Sequence, residues 1–230
     1  MSDKWRNWGR NQKCSPDQFK TPNTSDEVAT LVCLGVAERK KVRAVGAGHS
    51  FSPLCPTDGI MIDVGNFSSI THVNQERMQV TVGAGIRLFN LNKQLDLLGL
   101  ALPNLGDIDY QTLAGAISTG THGTGLGYHS ISEAVIGLKI ITGDGAVLEC
   151  STEKNQRIFR AARVSLGSLG IIIEVTLQCV SAFNLRATEQ TTNIDQILEL
   201  FGEAITRADH TEFFWFPHTE IGTLKINTKT

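Results

Sequence analysis

Two glycine-rich segments carry the residues whose types and spacing could do chemistry. The first is Val45-Gly46-Ala47-Gly48-His49-Ser50-Phe51. Glycines placed directly after a β-prone run let successive backbone N–H groups turn outward into a concavity that suits phosphate oxygens. One imidazole, His49, stands within it. The second segment runs from Asn104 through Gly106, Asp107, Thr112, Gly115, Thr119, Gly120, Thr121 and His122 to Gly125, with small side chains and hydroxyls alternating. Backbone so lightly covered suits a flat, polar-edged ligand that carries a diphosphate. Either segment alone is compatible with an ordinary turn, but two in one chain argue for an extended anionic ligand.

Two familiar phosphate motifs are excluded. A dinucleotide fingerprint of the Gly-x-Gly-x-x-Gly kind needs a third glycine at position 51, where Phe51 stands, and a helix opening after it. Ser52-Pro53-Leu54-Cys55-Pro56 cannot open that helix. No Gly-Lys-Ser/Thr is present, so there is no Walker A loop. This disfavours a module built on a nicotinamide cofactor. His72, His129 and His210 read as surface or strand-end residues and His218 as structural, with no metal-ligand spacing among them.

The elements that must position these loops follow from periodicity and turn chemistry. Thr24 and Glu27 form a capping box ahead of Val28, Leu31, Val32 and Val36 at helical spacing. Lys41–Val45 is a strand that feeds the first loop. Strands are expected at Ile60–Val64 and Met78–Val82, and a helix over Ile86–Leu98, with Leu88, Leu91, Leu95 and Leu98 on one face and Gly99 after it. From Pro103 to Tyr128 no periodicity is sustained, and the stretch reads as a long ordered loop. Val135–Ile141 and Ala146–Cys150 flank Gly143-Asp144-Gly145 as a hairpin. A short helix is expected at Phe159–Val164, a strand at Ile171–Leu177, an amphipathic helix at Ile194–Ala208 and a strand at Glu212–Phe216, with no closing element after it. The pattern is α+β.

Composition narrows the functions. The net charge of −2 gives no electrostatic reason to expect nucleic acid. The N-terminus, Met1 to Trp8, is polar and lacks a signal core, and no run approaches the roughly 18 apolar residues of a membrane span. Cys14, Cys33, Cys55, Cys150 and Cys179 are odd in number and lack C-x-x-C spacing, which points to buried free thiols rather than zinc or disulfide scaffolding.

Arg43-Ala44-Val45-Gly46-Ala47-Gly48-His49-Ser50 resembles the flavin-attachment loop of the vanillyl-alcohol oxidase superfamily, and the segment from Asn104 to Gly125 resembles that of the aldonolactone oxidases of the L-gulonolactone oxidase type. The likeness continues through Leu148-Glu149-Cys150-Ser151, Phe159-Arg160-Ala161-Ala162-Arg163-Val164, Leu169-Gly170-Ile171-Ile172 and Phe214-Trp215-Phe216-Pro217-His218-Thr219, over nearly the whole chain.

The resemblance implies a PCMH-type FAD-binding domain of two α/β subdomains over residues 1–182. The incomplete beginning of a substrate (cap) domain then occupies residues 183–230. It implies FAD bonded covalently through His49. Val45, Gly46, Ala47, Gly48, His49, Ser50 and Phe51 would cradle the diphosphate. Gly106, Asp107, Thr112, Gly115, Thr119, Gly120, Thr121 and His122 would lie on the other side of the cofactor, and Ile172 near its adenine. Gly106 would leave oxygen a path to the flavin. The implied reaction is oxidation of a sugar 1,4-lactone, of the L-gulono-1,4-lactone type, with O2 as acceptor and H2O2 as product. An alditol or D-arabinono-1,4-lactone oxidase is one alternative, and a flavin-binding module without turnover is another. Catalytic acid and base residues are expected beyond Thr230. The location implied is cytoplasmic, or associated with the endoplasmic-reticulum membrane if the protein is of animal type.

Overall fold

The computed structural model describes residues 4–230, and Met1–Asp3 of the polar N-terminal stretch lie outside them. β1 (Trp5–Arg6) and β2 (Lys13–Cys14) form a small hairpin. β3 (Gln18–Lys20) and α1 (Ser25–Ala37) follow. The capping pair starts α1. Thr24 Oγ1 accepts the Glu27 N–H at 3.2 Å, and the Glu27 carboxylate accepts the Asn23 N–H at 2.7 Å. The first bond satisfies one of the N–H donors that a helix start otherwise leaves open, and the second ties the preceding residue, Asn23, to the first turn. β4 (Val42–Val45) and β5 (Ile60–Asp63) run parallel, with β5 between β3 and β4. Parallel strands need a crossover, and α1 supplies the one from β3 to β4. Val28 and Val32 face Ile60 and Ile62 in the smaller of two cores, while Val36 is exposed, so the buried stripe of α1 is narrower than its spacing predicts.

The larger core lies against an antiparallel sheet. It begins with β6 (Ile70–Asn74) and β7 (Gln79–Gly83). Then come α2 (Leu88–Leu97), β8 (Leu100–Ala101) and α3 (Leu113–Ser118). β9 (Val135–Ile141), β10 (Val147–Ser151), α4 (Gln156–Ala162) and β11 (Ile171–Gln178) complete the unit, with strand order β10-β9-β11-β7-β6. Leu88, Leu91 and Leu95 of α2 are fully buried against it; each such side chain contributes about 1.5–3 kcal/mol of transfer free energy. The opposite sheet face is polar, with Thr81 and Thr176 hydroxyls 3.0 Å apart and Lys139 paired with Glu174. The two cores meet where Ile141 and Ile171 lie beside Ile140 and Ile172.

β12 (Val180–Ser181) pairs with β8. β13 (Leu185–Asn193), α5 (Ile194–Arg207), β14 (His210–Trp215) and β15 (Ile221–Lys229) then form a three-stranded sheet, order β13-β15-β14, with α5 on one face. This sheet is joined to the preceding unit by side chains: Tyr128 Oη donates to Asp209 at 2.9 Å and stacks on His210 at 4.5 Å.

The elements differ from expectation at four places. The stretch from Pro103 to Tyr128 is not structureless, because α3 lies within it. Thr112 caps α3, and tertiary bonds support its start: Leu113 N–H donates to Ile86 O at 2.8 Å and Ala114 N–H to Ala84 O at 2.9 Å. The short helix expected at Phe159–Val164 starts earlier, at Gln156, with Asn155 in the left-handed region before it. A closing element exists: β15 is the central strand of its sheet, although its Gly222, Lys225 and Asn227 weaken the strand pattern. Finally, Cys150 and Cys179 are buried thiols, but Cys33 is exposed and Cys14 and Cys55 are half-buried.

Candidate functional site

The two glycine segments come into contact at Gly46 and Thr112. A Cβ at Gly46 would overlap Thr112 Oγ1 and lie 3.1 Å from Thr112 Cβ. Thr112 cannot yield easily, because it is buried and its Oγ1 accepts the Gly115 N–H at 3.3 Å. Two residues on, Gly48 takes φ +66, where a side chain would also meet Trp5 Cζ2 at 3.2 Å. Glycine is therefore required at 46 by close approach and at 48 by backbone conformation.

Behind this contact is a cavity of about 250 Å³. Val45, Gly46, Ala47, Gly48, His49 and Ser50 form one wall, Thr112, Gly115 and Thr119 a second, and Ile172 stands on a third. Residues that sequence reasoning passed over complete it: Trp5, Arg43, Cys55 and the turn carrying Leu166, Gly167 and Gly170. That turn had a legible signal. Gly167 at φ +75 and Gly170 at φ +132 precede the β11 run just as Gly46 and Gly48 follow β4. Arg43 is the one permanently charged side chain on the wall among the described residues, a match for phosphate.

His49 has an unusual environment. Its Nδ1 is buried and has no hydrogen-bond partner, the one buried side-chain polar atom in that condition among the described residues. Burial holds its pKa below the ordinary 6.5, and the charge of Arg87 adds to the effect. The imidazole is thus neutral at neutral pH, with a lone pair available for bonding. Leaving such an atom unpartnered costs about 1–3 kcal/mol. The ring is stacked on Trp8, centroids 5.4 Å apart and planes 17° from parallel.

Gly106, Asp107 and His122 are not on that cavity. They line a separate groove of about 660 Å³, whose walls also carry His210, Glu212 and Asn227 of the β14–β15 sheet. His122 Nδ1–H donates to Gly123 O at 2.8 Å, and His210 Nδ1–H to Thr124 O at 2.8 Å. His210 begins β14 as a strand-end residue, but it is buried rather than on the surface. Lys225 of β15 lies 2.9 Å from Glu212, whose hydrogen bond raises the lysine's pKa and keeps it charged.

Phe51, Gly120 and Thr121 line neither space. Phe51 is largely exposed, edge-on to Trp8. Gly120, at φ +67, ends α3, and Thr121 is tied to that turn through its N–H to Ala116 O at 2.9 Å. Among the described residues, no group of three or more His, Cys, Asp or Glu side chains is placed to hold a metal ion, and no helix is long and apolar enough to cross a membrane.

The cavity therefore offers a small-residue cradle, one guanidinium and one unpartnered neutral imidazole, a donor set that fits an extended phosphate-bearing cofactor with a reactive ring. Comparison with known proteins agrees. The family model described as "FAD binding domain" matches residues 16–151, and that of "D-arabinono-1,4-lactone oxidase" matches residues 175–230. L-gulonolactone oxidase of Bos taurus is 41% identical over 217 residues, 94% of this chain and 49% of its own length. L-gulono-1,4-lactone dehydrogenase of Mycobacterium tuberculosis is 40% identical, over 96% of this chain and 51% of its own. D-arabinono-1,4-lactone oxidase of Kluyveromyces lactis is 33% identical, over 98% of this chain and 44% of its own. The chain thus spans about half the length of these relatives. Among solved structures, a solvent-stable cholesterol oxidase superposes with a TM-score of 0.90 at 23% identity, covering 99% of this chain and 48% of that one. Cholesterol oxidase from Brevibacterium sterolicum gives 0.88 at 21%, covering 100% and 48%. These two likenesses establish the fold alone. The match over residues 16–151 covers more than half of the chain and includes the strand, the loop and the helix that meet at Gly46 and Thr112: the chain belongs to the FAD-binding domain family.

Proposed function

We propose that this chain is the FAD-holding part of an aldonolactone oxidase and that His49 tethers the cofactor covalently through Nδ1. The observation that carries this reading is the buried, unpartnered Nδ1 of a neutral imidazole beside the glycine cradle. A covalent partner there would satisfy the buried ring nitrogen that has no hydrogen-bond partner in the protein. On this reading Gly46, Gly48 and Arg43 take the diphosphate, Thr112, Gly115 and Thr119 bound it from the α3 side, and Ile172 contacts the adenine end. Gly106, Asp107 and His122, on the second groove, serve the reactive end. Residues 1–182 form the FAD-binding unit and residues 183–230 open the substrate domain.

When bound, FAD supplies acceptance of a hydride from the carbinol carbon of a sugar 1,4-lactone and return of the electrons to O2 as H2O2. The chain's own part is to bind, orient and exclude water. The names of the mammalian relatives favour an L-gulono-1,4-lactone. The family match at residues 175–230 favours D-arabinono-1,4-lactone as the second reading.

The test is acid precipitation of the purified protein. Yellow colour and flavin fluorescence should stay with the pellet, and His49→Ala should release them to the supernatant. Flavin lost from the wild-type pellet would sink the tether. Peroxide release with each of the two lactones assigns the substrate, and its absence with both and with alditols would leave a binding module without turnover.

A further inference from the structure

The loop that carries His49 makes few bonds of its own, and the N-terminal hairpin supplies them. Trp8 N–H donates to Gly48 O at 2.8 Å. Asn7 Nδ2 donates to Ser50 O at 2.9 Å, and Asn11 Nδ2 and Gln12 Nε2 both donate to Phe51 O at 3.0 Å. The carbonyls of residues 48, 50 and 51 are thus all held by residues 7–12. Asn7 is buried, and its own amide is fixed by Asn11 and by Gln12 N–H. On this frame Trp8 lies against His49 with one face while 66% of its surface remains exposed. A tryptophan so placed is not filling a core. Among the described residues, its aromatic partners are His49 and Phe51 alone.

We propose that Trp8 is a positioning residue for cofactor attachment: stacked on His49 and seated in the residue 5–14 hairpin, it holds the imidazole in the one orientation from which Nδ1 bonds to the flavin ring. This rests on the reading of His49 as the tether. Attachment forms one bond from the imidazole nitrogen to a ring methyl carbon and breaks one methyl C–H bond. The methyl hydrogen and the imidazole N–H proton leave with two electrons, and O2 takes them up as H2O2. Such a reaction depends on the approach of the nitrogen lone pair, which a freely turning imidazole presents only part of the time. The stack also strips water from one ring face, in keeping with the lowered pKa of His49.

The experiment uses protein produced under flavin limitation and then supplied with FAD, with acid precipitates taken over time. Trp8→Ala should bind FAD reversibly but attach it at least about tenfold more slowly, and Trp8→Phe, which keeps a stacking ring, should recover most of the rate. A second readout needs no cofactor. The His49 ring-proton resonance of the flavin-free protein should titrate below pH 6.5 in the wild type, move up toward that value in Trp8→Ala, and stay low in Trp8→Phe. A merely structural role for Trp8 would leave that titration where it is. If wild type and Trp8→Ala attach FAD at the same rate, or if the His49 titration does not move, the assignment of Trp8 is overturned while the tether stands. If the wild type holds no acid-stable flavin, the tether itself falls and the role of Trp8 in attachment falls with it.

Discussion

Lys225, on the central strand of the last sheet, reaches Asp107, with Nζ 3.8 Å from Oδ1, while it pairs with Glu212 at 2.9 Å; both carboxylates line the second groove. One ammonium thus links the β14–β15 sheet to the loop that carries Gly106. Both partners are carboxylates, so removing the lysine leaves two like charges facing one groove. Lys225→Met is expected to cost about 1 kcal/mol, with Lys225→Arg close to wild type. Urea denaturation checks it, and an unchanged midpoint in Lys225→Met would show that the pair contributes nothing.

Gly46→Ala forces the first glycine loop away from the capping residue of α3, because the new methyl overlaps Thr112 Oγ1. Overpacking of this kind costs about 1–3 kcal/mol. The same displacement opens the cavity wall, so the fraction of purified protein that carries flavin should fall with the thermal midpoint. Thr112→Ala, which removes both the obstacle and the cap, should lose about 1 kcal/mol. The double variant should then lose less than the sum of the two.

Gly106→Ala places a methyl 3.0 Å from His122 O and 3.4 Å from Thr121 Cγ2. A shift of a few tenths of an ångström accommodates it, so folding should be little affected. Stopped-flow reoxidation of the reduced protein by O2 should slow, in keeping with the proposed oxygen path. Reoxidation at the wild-type rate would remove Gly106 from that role and leave open the behaviour named in the mycobacterial relative, a dehydrogenase.

Burial raises the Cys179 thiol from 9.0 to about 11. A raised folded-state pKa means that the folded protein holds its proton longer than the unfolded chain. The linked stability is therefore complete below pH 9 and is lost as pH rises toward 11. The loss amounts to about 2–3 kcal/mol at the alkaline end. Denaturation midpoints measured from pH 8 upward should fall less steeply in Cys179→Ala than in the wild type. Equal slopes would show that this thiol does not carry the effect.

Acid acts on the junction between the two sheet systems. Asp209 accepts the Lys229 N–H at 2.7 Å and the Tyr128 hydroxyl at 2.9 Å, and these bonds, the backbone one foremost, hold its carboxyl below the ordinary 3.8. The sign is opposite to that of Cys179: the contribution is present above pH 3.8 and disappears as pH falls through the folded-state value. Tyr128→Phe removes one of the two bonds, so acid unfolding followed by circular dichroism should begin at a higher pH than in the wild type. An identical acid limb would place the weak point elsewhere.

Several elements were legible because their determinants are local. Thr24 and Glu27 announce α1 through bonds made within one turn. Gly145 adopts the φ of +82 that its hairpin turn demands, and the Ile171–Leu177 run forms β11 from its side-chain shapes alone. The two glycine segments were legible for the same reason, since glycine answers to the backbone around it and to what lies close. What sequence could not show is which distant atoms meet. α3 sits in a segment too rich in glycine to be helical unaided, and it forms because Ile86 O and Ala84 O accept its first N–H groups. β15 becomes a central strand because β13 and β14 cover both its edges. The Gly167–Gly170 turn and Arg43 close the cavity from elements far apart in the chain. Residues read together from the second segment divide between two spaces, Thr112, Gly115 and Thr119 with the cavity and Gly106, Asp107 and His122 with the groove. The residue types and their local turns were thus set by the sequence itself. The unpartnered Nδ1 of His49, the stack of Trp8 upon it and the reach of Lys225 to Asp107 arise only where folding brings separate segments within contact distance.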